Sequence, residues 1–415
     1  MVDPYSSRLQ RPERRFVTPL RLLLVLLLIP ALVVTARWLN PGHRVTDALT
    51  ARDLLRDAAL AAVQSGELQR DNGAVYAVDV TQLATFAALA GDRELYDPLR
   101  DIILSNLLVT RVPGDPAHGM IAWRYRPPEF WTAQGIDFDP AKHLTQDASG
   151  TTEALRAAEA LWHGVQAFGL DEDRATVSLI LDAYARHAAI DNGTWMIRNY
   201  FNLHPEVYNF ITNSFLVDYD PDLLVTVMDA GLTGEEDWAE VAQQSAKLIN
   251  KARTPAGLLH QMIRPEVGTI MPHLLGEGFY SANGIEQLSN VLTVAERCTL
   301  TNPDVSQRVL EFARDRMPQL RLYYDANTGR RLRGEHDTWA GVETWGPLLR
   351  LAVKLGDDRT ARVATHHVIR LSSGFPDYRG EDQLYLLGEA LLALEYAIDH
   401  DKSLVADAPT DQASR

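Results

Sequence analysis

The feature that most constrains this chain is a recurring pair of amphipathic segments split by a short glycine or aspartate turn. Apolar residues return with helical spacing over 47–69, 79–90, 93–108, 149–168, 171–190, 209–230, 235–252, 281–299, 304–317, 341–355, 359–371 and 380–399. Gly91-Asp92, Gly169, the 231–234 stretch and Gly356 fall between partners, where antiparallel helix hairpins turn. The pattern amounts to roughly twelve helices in about six hairpins. It predicts an all-α protein, an (α/α)6 barrel in which an inner ring of helices is wrapped by an outer ring. A solenoid of hairpins would repeat its own sequence, and these segments do not resemble one another. Strand signals are sparse. The clearest is 320–332, expected to be a hairpin turning at 325–329.

The N-terminus reads differently. Arg8, Arg11, Arg14, Arg15 and Arg21 precede an almost purely apolar run over 22–36, with Trp38 and Leu39 after it. Basic residues ahead of an apolar run favour an N-terminus held in the cytoplasm, and the tryptophan suits a membrane interface. The expected organisation is a basic cytoplasmic tail over 1–18 and a transmembrane signal-anchor over 19–39. A barrel domain follows over 46–400, then a small polar, disordered tail over 401–415. A cleaved signal peptide is the alternative for the second segment, since Val34-Thr35-Ala36 has small-residue character. Either way the barrel is expected on the outer side of a bacterial cytoplasmic membrane, periplasmic or extracellular, with the membrane itself as a partner.

Charge and cysteine content narrow the chemistry. The 415-residue chain carries a formal net charge of −15, which argues against nucleic acid as a partner. Its single cysteine, Cys298, excludes a disulfide framework and any multi-cysteine metal site. No nucleotide-binding glycine loop, nucleophile elbow or His-Glu-x-x-His motif occurs, so no cofactor and no metal are expected.

The informative text lies at the start of alternate helices. The second, fourth, sixth, eighth, tenth and twelfth segments open on polar and aromatic residues. These include Asp79 and Gln82; Asp147 to Glu153; Asn213 and Ser214; Tyr280, Asn283 and Glu286; Trp339 and Glu343; Tyr378 and Glu381. Their partners open on plainer solvent-type text such as Asp171-Glu-Asp-Arg. Helix capping accounts for any one of these residues. A shared cleft, at which inner-helix N-termini gather their exposed N–H groups, accounts for the recurrence. The feeding loops add Trp123, Tyr125, Trp131 and Trp195, flat rings of the kind that stack on sugars.

The order Asp79-Val-Thr-Gln … Asp92-Arg-Glu-Leu-Tyr-Asp, then Gly119-Met-Ile-Ala-Trp123-Arg, then Asp147-Ala-Ser-Gly-Thr-Thr-Glu-Ala-Leu resembles family 8 glycoside hydrolases. Asn213-Ser-Phe-Leu-Val-Asp218-Tyr and Phe279-Tyr-Ser-Ala-Asn283 stand where that family has its next characteristic segments. The resemblance implies an (α/α)6 enzyme acting on β-linked glucans and related polymers, in some cases within bacterial exopolysaccharide systems. The motifs depart from the family in detail. Asp79 stands where the family has the glutamate of Ser-Glu-Gly-Gln. Glu153 is one position from the family's carboxylate. Ser281 replaces the aspartate of Tyr-Asp-Ala.

Glycoside hydrolysis needs two carboxylates about the scissile bond, one protonated and one ionised. The expected catalytic residues are Glu153 as general acid and Asp79 as base or sugar-orienting group, with Asp147 and Glu343 in reserve. Trp123, Tyr125, Trp131, Trp195, Tyr280, Asn283, Trp339 and Glu343 are the expected substrate contacts. The alternatives are a non-catalytic glycan-binding or assembly protein of a polysaccharide synthesis or secretion complex, and a lyase using Tyr280, Asn283 or His336.

Overall fold

The computed structural model describes residues 41–406, apart from 71, 141, 192, 212, 264–278 and 376–382. The apolar run over 22–36 and the tail from 407 lie outside the described residues. Among those described, no helix is long and apolar enough to cross a membrane.

Twelve helices build the barrel: α1 Pro41–Ser65, α2 Ala77–Leu89, α3 Arg93–Ile102, α4 Thr151–Phe168, α5 Asp173–Ala185, α6 Pro221–Asp229, α7 Trp238–Lys251, α8 Leu288–Glu296, α9 Pro303–Arg314, α10 Val342–Lys354, α11 Asp358–Ser372 and α12 Gln383–Ala406. The even-numbered helices form the inner ring. Within it α2 packs on α4 and α12, and α10 packs on α12 and α8. The 3-10 turn Leu216–Asp218 touches both α4 and α8 where the ring passes α6. Each outer helix packs on the inner helix of its own hairpin, and α1 closes the ring against α12. That seam is pinned by Arg44, whose guanidinium donates to both oxygens of Asp401 at 2.9 and 2.6 Å, both residues buried. The two residues lie just beyond the expected limits of 46 and 400, because first and last helices must mesh for the ring to close.

The hairpin turns follow the sequence chemistry. Gly169 ends α4 in the left-handed region (φ 67°), where its N–H reaches Val165 O. Gly91 does the same service after α2 (φ 68°), and Asp92 then caps α3 by accepting from Leu95 N. Asp237 and Asp357 cap α7 and α11 in the same manner. The inner helices differ. The residues preceding α2, α4, α8 and α10 are Tyr76, Gly150, Gln287 and Gly341, all extended and none forming a side-chain cap. Among the described inner-helix starts only α6 has such a cap, Asp220 accepting from Leu223 N, so capping explains Asp92, Asp237, Asp357 and Asp220 but not the polar text ahead of α2, α4, α8 and α10.

Three expectations are corrected. Among the described residues, 209–220 and 281–287 are not α-helical, containing only the short 3-10 turns Leu216–Asp218 and Ala282–Gly284. Ser214–Phe215, Met262–Ile263 and Phe279–Tyr280 form a three-stranded sheet, and α6 and α8 begin only after it. Backbone pairing across the barrel mouth overrides the local helical spacing there. The strand Tyr323–Asp325 pairs with Ile285–Gln287 rather than folding back on 330–332, to which it is joined by one bridge, Tyr324 to Arg331. The turn at 325–329 is as expected, held by Asp325 accepting from Thr328 N and Oγ1 at 2.7 Å. Finally, α12 runs on to Ala406, into the segment expected to be a frayed tail.

The core between the rings is continuous and apolar, with Tyr96, Tyr184 and Tyr219 among its fully buried side chains. Gly164 of α4 leaves the space that the Tyr96 ring fills, and a Cβ there would overlap the phenol. Gly164→Ala should destabilise by about 1–3 kcal/mol, the usual range for overpacking, read as a shift of the denaturant midpoint. The bore is polar instead. Arg350 pairs with Glu296 at 2.9 Å and with Glu389; Lys354 reaches Glu296 at 3.2 Å. Gln82 donates to Glu389 and accepts from Arg156 Nη1 at 2.6 Å. This chain ties together five of the inner helices, α2, α4, α8, α10 and α12.

Candidate functional site

A cleft of about 690 Å³ opens at the N-terminal end of α4. Its walls are built by strand pairing. Ala148–Gly150, which leads into α4, pairs with Tyr200–Asn202, and Ser149 also bridges to Ala122. This brings Trp123, Asp147, Gly150, Glu153, Tyr200 and Glu206 to one cavity, together with Asn199, Asn202 and His204. Three of the expected site residues are thus brought together: Trp123, Asp147 and Glu153.

Two of the three carboxyls lining the cleft are pushed in opposite directions. Burial pushes the Glu153 carboxyl above its ordinary range, only partly opposed by its own backbone N–H and by Arg156 and Arg297. Its carboxylate folds over Gly150, where a Cβ would collide with Oε2. Burial acts upward on Asp147 as well. There it is outweighed by the hydrogen bond from Arg124 at 2.9 Å, the charges of Arg126 and Arg124, and the Trp123 Nε1–H at 2.9 Å, which together hold Asp147 below its ordinary value. Beside them, Asp218 is pushed up to about 7 by burial, with Glu153 adding to the rise. It accepts from Thr152 Oγ1 at 3.0 Å and Phe215 N at 2.9 Å. Carboxyls driven apart in this manner are what acid–base chemistry uses.

Asp79 is not in the cleft. It is fully buried at the start of α2 and bound at both oxygens by Arg70, at 2.8 and 2.7 Å. The expected pair of Asp79 with Glu153 is replaced by Asp147 with Glu153. The strand Val75–Tyr76 leads into α2, and the Asp79 carboxylate is taken by Arg70 from the preceding loop. Asp79→Asn should cost about 1.5–3 kcal/mol of stability, the worth of a charged hydrogen bond. Turnover per folded molecule should stay unchanged. Denaturation curves and rates corrected for the folded fraction check both halves.

The other expected contacts scatter. Tyr125 pairs in a short strand and packs on the core. Trp131, in the short helix Pro128–Ala133, stacks on His143 at 4.6 Å with Arg126 over it at 4.9 Å. Trp195 also packs on the core. These three rings cover the structure under long loops. The side chain of Tyr280 lies outside the described residues. Asn283 is exposed in the left-handed region (φ 56°). Glu343 accepts from Gly341 N at 3.0 Å in the first turn of α10. Trp339 stands out at the rim, 60% exposed.

One cluster was not singled out from sequence. Ser281 Oγ donates to Glu286 Oε1 and lies 2.7 Å from His260 Nδ1. With its proton given to Glu286, the serine accepts from Nδ1–H, which leaves Nε2 of His260 as an acceptor. Glu286 is fully buried and its Oε2 has no partner. The available signal was a carboxylate two residues ahead of an inner helix. Among the described residues no group of three or more histidine, cysteine, aspartate or glutamate side chains is placed to hold a metal. Cys298 is a small buried residue, its thiol pushed up to about 12 by burial.

No family model matches the chain, and no curated protein is found to be related to it by sequence. Solved structures do match in fold. "A novel alpha-amylase" from Clostridium perfringens superposes with a TM-score of 0.59 at 13% identity, covering 78% of this chain and 86% of that one. The endo-beta-1,4-glucanase CMCax from Acetobacter xylinum gives 0.54 at 14% identity, covering 84% and 99%. A GH8 xylobiose complex from Teredinibacter turnerae gives 0.51 at 15%, covering 79% and 82%. The chain has the (α/α)6 fold of these glycosidases, and the distant resemblance to family 8 read from its sequence extends to the fold.

Proposed function

We propose that the protein is a glycoside hydrolase, anchored by its N-terminal segment and exported, that cleaves a β-glucan-like bacterial polysaccharide outside the cytoplasmic membrane. The observation that carries this is the cleft at α4. A carboxyl that burial pushes up, Glu153, and one that arginines hold below its ordinary value, Asp147, line one cavity with Trp123. The solved structures of like fold include an endoglucanase, an amylase and a xylobiose complex, all acting on or holding glycans.

In this reading Glu153 gives its proton to the glycosidic oxygen as the C–O bond breaks, and the carboxylate so formed takes a proton from the water that adds to the anomeric carbon. Asp147 keeps a negative charge on the cleft wall as positive charge grows on the sugar. Trp123, held at Nε1 by Asp147, offers a ring for stacking. Incubation with a panel of β-glucans, xylan and bacterial exopolysaccharide, followed by a reducing-end assay, tests the reading. Release of ends from at least one polymer is expected; none from any polymer overturns it.

A second reading, a polysaccharide lyase on the same scaffold, is favoured by one observation. His260, held through Ser281 by Glu286, is an oriented imidazole beside an inner-helix entry that could serve as the base. Lyase products carry an ultraviolet-absorbing unsaturated end, which hydrolase products lack.

A further inference from the structure

The rim across the ring from the cleft carries a charge opposite to that of the whole chain. The segment 320–340 is welded between two inner-helix entries. Leu322 O accepts from Leu288 N at 2.8 Å at the α8 entry, Leu322 N donates to Thr338 O at 2.9 Å and so folds the segment on itself, and its end at Ala340 leads directly into α10. Within it Arg330, Arg331 and Arg333 are exposed, and none forms an ion pair among the described residues. Nearby carboxylates are mostly engaged: Asp325 by its own turn, Asp337 by Arg321 Nε at 2.7 Å. Glu335 is the exposed acid beside them. The Arg321 guanidinium sits 3.2 Å over the centre of the Trp339 ring, and that ring is still 60% exposed. One face of the indole is covered by a cation and the remainder meets solvent.

Arg330 and Arg331 lie within electrostatic reach of Asp325 and Asp337, but none of the three arginines forms an ion pair among the described residues, and three within four residues repel one another. In a chain of net charge −15, solubility does not need them. A neutral glycan would be served by Trp339 alone. A guanidinium fork matches a carboxylate or a phosphate in a bidentate fashion. The acids elsewhere on the surface do not cancel the patch, because at physiological salt a charge is screened beyond about 8 Å.

We propose that this rim is a distal subsite for an anionic polysaccharide, one bearing uronate carboxylates or equivalent acidic substituents. Trp339 stacks on a sugar ring while Arg330, Arg331 and Arg333 pair with its charges. The proposal rests on the glycan-active reading above and narrows its substrate class. It places the polymer across the barrel mouth, from the rim at α8 and α10 to the cleft at α4.

Binding separates this proposal from the catalytic one. The full-length Glu153→Gln variant is titrated calorimetrically with polygalacturonate and with a neutral β-glucan of similar length, at low and at raised salt. Polygalacturonate should bind about tenfold tighter or better, with the preference shrinking as salt rises. Replacing Arg330, Arg331 and Arg333 together by glutamine should abolish the preference while leaving neutral-glucan binding in place. Trp339→Ala should weaken both polymers, by up to about tenfold. Equal binding of the two polymers, or an unchanged preference in the triple variant, overturns the proposal. So does equally tight binding of single-stranded DNA, which would mean the patch reads bare negative charge. Binding of the acidic polymer by a wild-type protein that releases no ends would sink the hydrolase reading and leave the subsite standing.

Discussion

Glu153→Gln is expected to lower glycan hydrolysis by about 10²- to 10⁴-fold, the usual worth of a general acid, with the fold intact. The amide fills the same volume but has no proton to give. The pH dependence follows from the same burial. Activity that needs protonated Glu153 persists above the ordinary glutamate range and is lost as pH rises through the raised value. Stability follows the same direction. A carboxyl whose folded pKa is raised contributes stability that is fully present below its unfolded pKa and is lost as pH rises through the folded one. The glutamine variant escapes this loss. It should therefore be more stable than wild type at neutral pH and no more stable below the unfolded glutamate pKa. Midpoints of denaturation at the two pH values decide this. An unchanged rate removes Glu153 from the mechanism. A lost rate with no stability gain at neutral pH keeps it as a contact but denies the buried, protonated state.

The largest effect on stability is expected in the bore. Arg350→Met leaves Glu296 and Glu389 buried without their common cation, and a broken buried pair costs about 3–5 kcal/mol. Against a total of about 5–15 kcal/mol, that is enough to unfold a sizeable fraction on mild heating. Adding Glu296→Gln and Glu389→Gln to the same variant should recover much of the loss, because the cost lies in the stranded charges. Burial would raise Glu296, but Arg350 and Lys354 outweigh it and hold the carboxyl at about 2. A depressed carboxyl contributes stability above its unfolded pKa that is lost as pH falls through the folded one. Wild type should accordingly weaken between the ordinary glutamate range and about pH 2, and Arg350→Met should show less of that acid transition. Equal midpoints for wild type and Arg350→Met at pH 7 would refute the role given to the network.

The two carboxylates chosen from sequence fared differently for a physical reason. Glu153 and Asp79 both open inner helices, and each follows polar text. Yet the two-residue strand Val75–Tyr76 leads into α2, where Arg70 from the preceding loop takes Asp79. The three-residue strand Ala148–Gly150 aims the entry to α4 into the open cleft. Spacing along a helix cannot distinguish these outcomes, since the strand partners are Arg124–Tyr125 in one case and Tyr200–Asn202 in the other, each many residues away. The same limit hid His260, which meets Ser281 where Phe279–Tyr280 pairs with Met262–Ile263.

What the sequence determined by itself was the helical count, the hairpin turns and the outer-ring caps. Gly169 and Asp92 act on residues three or four positions away, and such short-range chemistry is written directly into the chain. What only the tertiary structure decided was which polar ends face one another. It gathered Trp123, Asp147 and Glu153 into one cleft and sealed Asp79. It also set an arginine-rich rim on the far side of the ring from the raised carboxyl of Glu153. Those pairings depend on ring closure and strand register, long-range properties that no local periodicity encodes.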